Sequence, residues 1–421
     1  MTLRGLISVA LVVGSALAFA PTTSIYSVKS KNGLVSLQST ATDTASTTET
    51  TAASSASAVH SSILDDFEHH TSNRLPYSST GYSTWEWQTH HSPENQQAQQ
   101  SNEDGASYND KNAIKTSHSI NYIEMGDPSK PALLLVHGFG ASSYHWRYNI
   151  PTLARKYHVF TIDLLGFGWS DKPIMDYDAS VWRDQVVDFT KQVILNGDEE
   201  STKSIAIAGN SLGGYTAMYA CSDERIKKYV NSCILLNAAG RFRDPESSND
   251  EEKREPNPII ESISAAIQRF VIACSFVYTK QPSRIEQILR QVYPINDSNV
   301  DSELVESIRT PSLDSSAAEV FYRVITKNGA GPQAYVDDIV KELDCPVLLA
   351  WGESDPWIKP AAADRMEKLH AEFHGENIGG ENGSRWIRRV SIDAGHCPHD
   401  EAPDAVNDAI LGFVDEVLAV Q

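Results

Sequence analysis

Residues 204–221 read SIAIAGNSLGGYTAMYAC, in which the apolar run Ser204–Ala208 ends in Gly209-Asn210-Ser211-Leu212-Gly213-Gly214 and passes straight into a second apolar stretch. A short run bounded by glycine is the pattern of a buried strand, and the longer run after it is that of a helix. A GxSxG between strand and helix requires a turn so tight that only small side chains fit around the serine, which explains a glycine two residues to either side. Such a turn holds the Ser211 hydroxyl at a helix N-terminus, where the dipole favours negative charge. A glycine-rich strand-to-helix turn can also cradle a phosphate, so the nucleophile reading needs a base and a carboxylate elsewhere in the chain.

Working outward, short apolar runs alternate with longer amphipathic ones from His118 onward, which predicts a mostly parallel, doubly wound α/β sheet. Strands are expected at Ala132–Val136, His158–Ile162, Ser204–Ala208, Tyr229–Leu236, Val347–Trp351 and Trp386–Ile392. Helices are expected at about Ser143–Tyr157, Ser180–Leu195, Ser211–Cys221, Ala361–Phe373 and Asp404–Leu418. Upstream, Tyr82–Gln88 and His118–Met125 read as an antiparallel edge pair, and the polar stretch 89–116 between them as a disordered insertion. The alternation breaks over about 241–331, where Ile259–Tyr278, Ser283–Val292 and Ser302–Ile308 are all helical in pattern. A helical insert between the sixth and seventh strands predicts a cap over the carboxyl ends of the strands, where open α/β sheets bind ligands.

A serine hydroxyl is a poor nucleophile until a base removes its proton. His396, in Ala394-Gly395-His396-Cys397-Pro398-His399, follows the last strand and is the candidate base, with His399 its nearest rival. The carboxylate that orients the imidazole falls between serine and histidine in chain order. Asp355, just past the Val347–Trp351 strand, is the candidate; of its rivals, Glu353 comes one turn too early and Asp393 sits beside the histidine on the same loop, where a solvated role is expected. Acyl transfer also needs donors for an oxyanion. The backbone N–H groups of Phe139, in His137-Gly138-Phe139-Gly140 after the Ala132–Val136 strand, and of Leu212 fit that need. His137 and the turn Asp163–Ser170 read as structural.

The 421 residues carry 35 Lys+Arg against 55 Asp+Glu, a formal charge of −20, which argues against nucleic acid, whose phosphates require clustered Lys and Arg. Arg385, Arg388 and Arg389 read as a solvated strand face. Five cysteines without a CxxC support neither a disulfide framework nor a zinc site, and no metal or organic cofactor is implied.

Arg4 precedes an apolar run from Leu6 to Ala20, too short to span a ~30 Å hydrocarbon core but suited to a signal peptide. Phe19-Ala20-Pro21 after Ala16-Leu17-Ala18 resembles the AFAP cleavage motif of the bipartite plastid presequences of diatoms and related algae. The continuation 21–38 has Lys29, Lys31 and no acid, as transit peptides do. The expected organisation is a signal peptide at 1–18, a transit peptide and Ser/Thr/Ala-rich linker at 19–62, and one domain over 75–421. Ordinary secretion fits the apolar run equally well; the odd cysteine count and the acid-free continuation favour the plastid.

Together, the segments HGFGASSYHWRYNIPTLARKYHVFTIDLLGFGWSDKP from His137, GNSLGGYTA from Gly209, KQPSRIE from Lys280 and AGHCPHDEAPDAVN from Ala394 resemble the plastid α/β-hydrolases of plants and algae, the group of pheophytinases and chlorophyll dephytylases. The resemblance implies an α/β-hydrolase fold and a serine hydrolase acting on phytyl esters of chlorophyll-type pigments, with its triad on Ser211, Asp355 and His396. Two features depart from the family pattern. One is the insertion at 89–116; the other is Leu236-Asn237-Ala238-Ala239-Gly240-Arg241, where pheophytinases carry a Thr-Pro-aromatic run. The alternatives are a lipase or other acyl-ester hydrolase, a C–C bond hydrolase, or a receptor that retains the triad. Segment Ile259–Tyr278 is apolar over more than the ~100° stripe that packing requires. The excess either packs a doubly covered helix against the core and neighbouring cap helices, or lines a pocket for a large apolar ester or rests on thylakoid lipid. Phe139, Trp357, Phe270 and Phe276 are the candidate substrate contacts.

Overall fold

The computed structural model of the protein describes residues 73–91, 115–243, 258–327, 334–375 and 386–420, and the side chains of the first cap helix from Gln268 onward. The expected leader and linker at 1–62, most of the insertion at 89–116 and the charged loop 244–257 lie outside the described residues. Eight strands form one sheet in the order β1-β2-β4-β3-β5-β6-β7-β8. They are β1 (Ser83–Thr89), β2 (Thr116–Met125), β3 (Ala132–Val136), β4 (His158–Ile162), β5 (Ile205–Asn210), β6 (Val230–Leu236), β7 (Val347–Gly352) and β8 (Ile387–Ile392). The pairs β1/β2 and β2/β4 are antiparallel and the other five are parallel.

Strands β3, β4, β5, β6 and β7 are buried along their whole length because helices cover both faces, so they read as continuous apolar runs. The pleat still divides them: Leu134, Val136, Ile207, Leu235 and Leu349 enter one core, while Leu133, Leu135, Ala208, Ile234 and Leu348 enter the other. The first core is closed by α1 (Ala179–Phe189) and α2 (Leu212–Cys221) through Trp182, Val186, Ala217 and Met218. Between β6 and β7 lie α3 (Pro258–Thr279), α4 (Pro282–Val292), α5 (Ser302–Arg309), α6 (Ala317–Lys327) and the short α7 (Val336–Glu342). After β7 comes α8 (Ala361–His374). The final helix, α9 (Pro403–Val420), closes the second core with Val406, Ile410, Phe413 and Val417.

Two expected elements differ, and two further helices are present. The helix expected over Ser143–Tyr157 is two single turns, Ser143–Trp146 and Ile150–Leu153. The second opens on Ile150-Pro151, and proline lacks the N–H that would continue a helix through it. The helix expected over Ser180–Leu195 is α-helical only to Phe189 and then widens into a π-turn at Thr190–Ile194. Helices α6 and α7 were not foreseen, since each is only two or three turns long and a short amphipathic run is easily mistaken for loop.

Candidate active site

The four loops that carry the candidate residues all leave the carboxyl edge of the sheet, after β3, β5, β7 and β8. Ser211 is the single residue between β5 and α2, at φ +55° and ψ −119°. A non-glycine residue there is strained by about 1–3 kcal/mol and persists only where its surroundings over-determine it. They do so here: the Ser211 N–H donates to Leu236 O at 3.0 Å, and Ser211 O accepts from Ala239 N at 2.9 Å and Tyr215 N at 3.1 Å. The glycines on either side are sterically required. A Cβ on Gly209 would lie 2.1 Å from Gly213 O, and one on Gly213 would lie 2.3 Å from Val136 O, so α2 is backed against the ends of β3 and β5.

His396 Nδ1 is 2.8 Å from Asp355 Oδ2, and both side chains are almost fully buried. The same Oδ2 accepts from Asn237 Nδ2 at 2.8 Å, while Oδ1 accepts the N–H groups of Trp357 at 2.7 Å and Ile358 at 3.0 Å. Burial works to raise the Asp355 pKa, but the histidine and these donors outweigh it and hold the carboxyl below its ordinary range. An ionised Asp355 paired with Nδ1 leaves Nε2 as the nitrogen able to take a hydroxyl proton. The rival carboxylate Glu353 instead faces β8, accepting from Arg389 Nη2 at 3.0 Å and Ser391 Oγ at 2.7 Å, and Asp393 is exposed. The rival histidine, His399, is wholly buried on a separate turn, Pro398–Glu401, with its ring 4.2 Å from that of Trp146.

The loop after β3 lies against the elbow: a Cβ on Gly138 would be 3.2 Å from Ser211 Cβ. His137 is a staple for this loop, with Nδ1 2.7 Å from Gly138 O and Nε2 accepting from Leu164 N at 3.0 Å. Leu212 opens α2, so its N–H is one of the first-turn donors that a helix leaves unpaired. Asp163 is also buried, accepting from Asn121 Nδ2 at 2.9 Å, Ser143 N and Oγ at 2.6 Å each and Trp169 N at 2.7 Å, and thereby holds the loops beside the site together.

Of the four expected substrate contacts, two sit at this edge. Phe139 is 41% exposed, and the Trp357 ring lies 4.8 Å from that of His396. The two cap phenylalanines part company: Phe276 is buried, whereas Phe270 is 71% exposed and faces outward with Val271 and Val277. The residue that joins Phe139 to the cap is Phe321 of α6, whose ring is 5.5 Å from Phe139 and 5.1 Å from Phe276. Its signal was present in the apolar spacing of Val320, Phe321 and Val324 within an unassigned helix. Asn210 and Asn237, which hold the histidine and aspartate loops, carried no spacing signal because their partners are main-chain atoms or lie more than a hundred residues away.

Among solved structures, a bacterial membrane phospholipase A described as a virulence factor aligns over 87% of this chain and 95% of its own with a TM-score of 0.53 at 21% identity, which shows the fold. Pheophytinase, chloroplastic, of Arabidopsis thaliana is 28% identical over 68% of this chain, and the match spans 61% of that protein's length. Epoxide hydrolase 3 of Xenopus tropicalis is 25% identical over 72% of this chain and 76% of its own. The profile of the alpha/beta hydrolase family matches residues 133–409, from β3 into the final helix and with all four carboxyl-edge loops inside it, so the chain belongs to the alpha/beta hydrolase family.

Proposed function

We propose that the protein is a plastid serine hydrolase that cleaves carboxylic esters through Ser211, His396 and Asp355, and that its substrates are large apolar esters such as phytyl esters of chlorophyll-type pigments. The observation that carries the reading is the buried Asp355–His396 pair beside an elbow whose strained residue is a serine. His396 Nε2 takes the Ser211 proton as Oγ attacks the ester carbonyl, and the Phe139 and Leu212 N–H groups receive the oxyanion. The protonated imidazole then gives its proton to the departing alcohol, and water, deprotonated by the same histidine, releases the acid. A serine at the elbow favours this chemistry over aspartate-based epoxide opening, and the likeness to pheophytinase favours the pigment ester.

The cap supports contact with thylakoid lipid. From Gln268 to Ile285 it has no acidic residue but includes Arg269, Lys280 and Arg284, in a chain of net charge −20. On α3, Phe270, Val271, Val277 and Tyr278 are exposed beside these cations, the composition of a helix that lies on an anionic bilayer. No described helix is long and apolar enough to cross a membrane.

A fluorophosphonate probe tests the nucleophile: it should label the wild type and not Ser211→Ala, and equal labelling of both rejects the assignment. Mature protein offered chlorophyll, pheophytin, galactolipid and short acyl esters, with free alcohol and acid measured, tests the substrate. Turnover of diketones with C–C cleavage in place of ester hydrolysis would replace this reading.

A further inference from the structure

The turn that follows His396 carries a second carboxylate that no step above uses. Glu401 is 1% exposed, and its side chain accepts three main-chain N–H groups. Oε1 takes those of Ile295 at 2.8 Å and Asn296 at 2.9 Å, and Oε2 takes that of Gly395. The first two belong to the segment 293–299 that links α4 to α5 in the cap; the third is the residue before His396.

That segment and the end of α4 before it touch the histidine loop in two further places. The His396 N–H donates to Val292 O at 3.0 Å, at the end of α4. A Cβ on Gly395 would lie 2.3 Å from both Val292 O and Pro294 Cδ, so the two stretches of chain are packed without room for a side chain. Beside Glu401, Asp400 Oδ2 accepts from Tyr293 OH at 2.7 Å and Arg147 Nη2 at 3.2 Å, and Asn299 Nδ2 donates to Asp400 O at 2.6 Å. The half of the cap around α4 and α5 is therefore fastened to the histidine loop, and the Glu401 side chain bonds both the 293–299 segment and the Gly395 amide.

We infer that Glu401 is a positioning residue for His396, acting through the Gly395 amide and the 293–299 segment. The inference rests on the serine-hydrolase reading. Consecutive amides at 395 and 396 are fixed, one by Glu401 and one by Val292 O, which immediately precedes the segment Glu401 holds, so the imidazole is set relative to Ser211 by contacts outside the triad. A charged acceptor matters because three N–H dipoles converge on it, and charge-assisted hydrogen bonds are roughly twice as strong as neutral ones. A misplacement of about 1 Å at a reacting group costs on the order of a hundredfold in rate. Among the described residues, Glu401 makes no hydrogen bond to the loops that carry Phe139 and Trp357, so its loss is expected to act on kcat more than on KM.

The test compares wild type, Ser211→Ala, Glu401→Ala and Glu401→Gln by fluorophosphonate labelling rate, by kcat and KM on one soluble ester, and by thermal unfolding. Labelling of the wild type but not of Ser211→Ala establishes the underlying reading, and its failure is seen there alone. Glu401→Ala is expected to lose about a hundredfold in kcat and in labelling rate with KM changed less than about twofold. Glu401→Gln is expected to recover part of that loss, since its carbonyl can still accept from Ile295 and Asn296 while its NH2 opposes the Gly395 N–H. Should Glu401→Ala not fold, slowed labelling in folded Glu401→Gln carries the test alone. Wild-type labelling in folded variants, or a rise in KM that accounts for the whole loss, overturns the inference.

Discussion

Asn210 Nδ2 donates to the main-chain oxygen of His396 at 2.8 Å, so the residue that precedes the elbow serine holds the histidine loop directly. The same amide nitrogen donates to Leu236 O at 3.1 Å, and the side chain is 1% exposed. Asn210→Asp would turn carboxylate oxygens towards two buried carbonyls in place of the donors. Leaving such groups unpaired costs about 1–3 kcal/mol each. The variant should unfold at lower temperature than wild type and react with a fluorophosphonate at least about tenfold more slowly; unchanged labelling would show that the contact does not set the histidine.

Asp355 binds both His396 and Asn237 through one oxygen, Oδ2. Asp355→Asn keeps the shape but offers no anion to the Nδ1–H, and in a comparable serine-protease triad that change cost about 10⁴ in kcat with geometry intact. Turnover should fall by several orders of magnitude while the fold survives. Asn237→Ala, which leaves the aspartate–histidine bond in place, should cost far less. Harmless Asp355→Asn beside a crippling Asp393→Asn, compared by kcat on one ester, would move the carboxylate role to Asp393.

His145 predicts the acid side of the stability curve. It is fully buried, and burial first, then the charge of Arg147, pushes its pKa down to about 3. Its Nε2 is 2.7 Å from Tyr293 OH, which donates to Asp400, so the neutral Nε2–H form donates to the tyrosine. An unfolded histidine titrates near about 6.5. Between these values the unfolded chain binds the proton and the folded one does not, so this group's contribution is full above about pH 6.5 and is lost as pH falls, at up to about 1.4 kcal/mol per pH unit. Denaturant unfolding of His145→Gln from pH 7 to 4.5 should show a shallower decline than wild type; equal slopes would mean that His145 is already charged in the fold.

The sheet was legible in the sequence because parallel strands buried on both faces are written as unbroken apolar runs, as in Leu133–Val136 or Leu348–Trp351. The elbow was legible because its steric demand selects residue types: only glycine fits where Gly209 and Gly213 meet main-chain atoms. Glu401, Asn210 and Asn237 were not legible, since each serves main-chain groups brought near by folding, and a backbone amide leaves no trace in residue identity. The cap was the hardest to read. Its apolar excess on α3 announced a second partner, but the division into a buried Phe276 and an outward Phe270 depends on where α6 packs.

The proposed route into the plastid is tested with the leader alone. Residues 1–60 fused to a fluorescent protein should colocalise with chlorophyll, and substituting Phe19 should leave the fusion outside the plastid. Secretion of the unaltered fusion would reject the route.

The two faces of the cap predict separable effects on substrate choice. Phe139, Phe321 and Phe276 form a run of rings 5.5 and 5.1 Å apart that leads from the candidate oxyanion loop into the cap, while Phe270 points away from it. Each methylene removed from water contributes about 0.8 kcal/mol, which is about fourfold in kcat/KM if it is buried only in the complex. Against a series of soluble esters of growing chain length, wild type should therefore climb steeply at first, and Phe321→Ser should flatten the climb while sparing the shortest ester. Phe270→Ser should leave that series unchanged and instead slow hydrolysis of an ester presented in anionic vesicles, because its ring belongs to the outward face with Val271 and Val277. A loss shared equally by both assays in both variants would mean that the cap packs as one body and that neither face selects substrate.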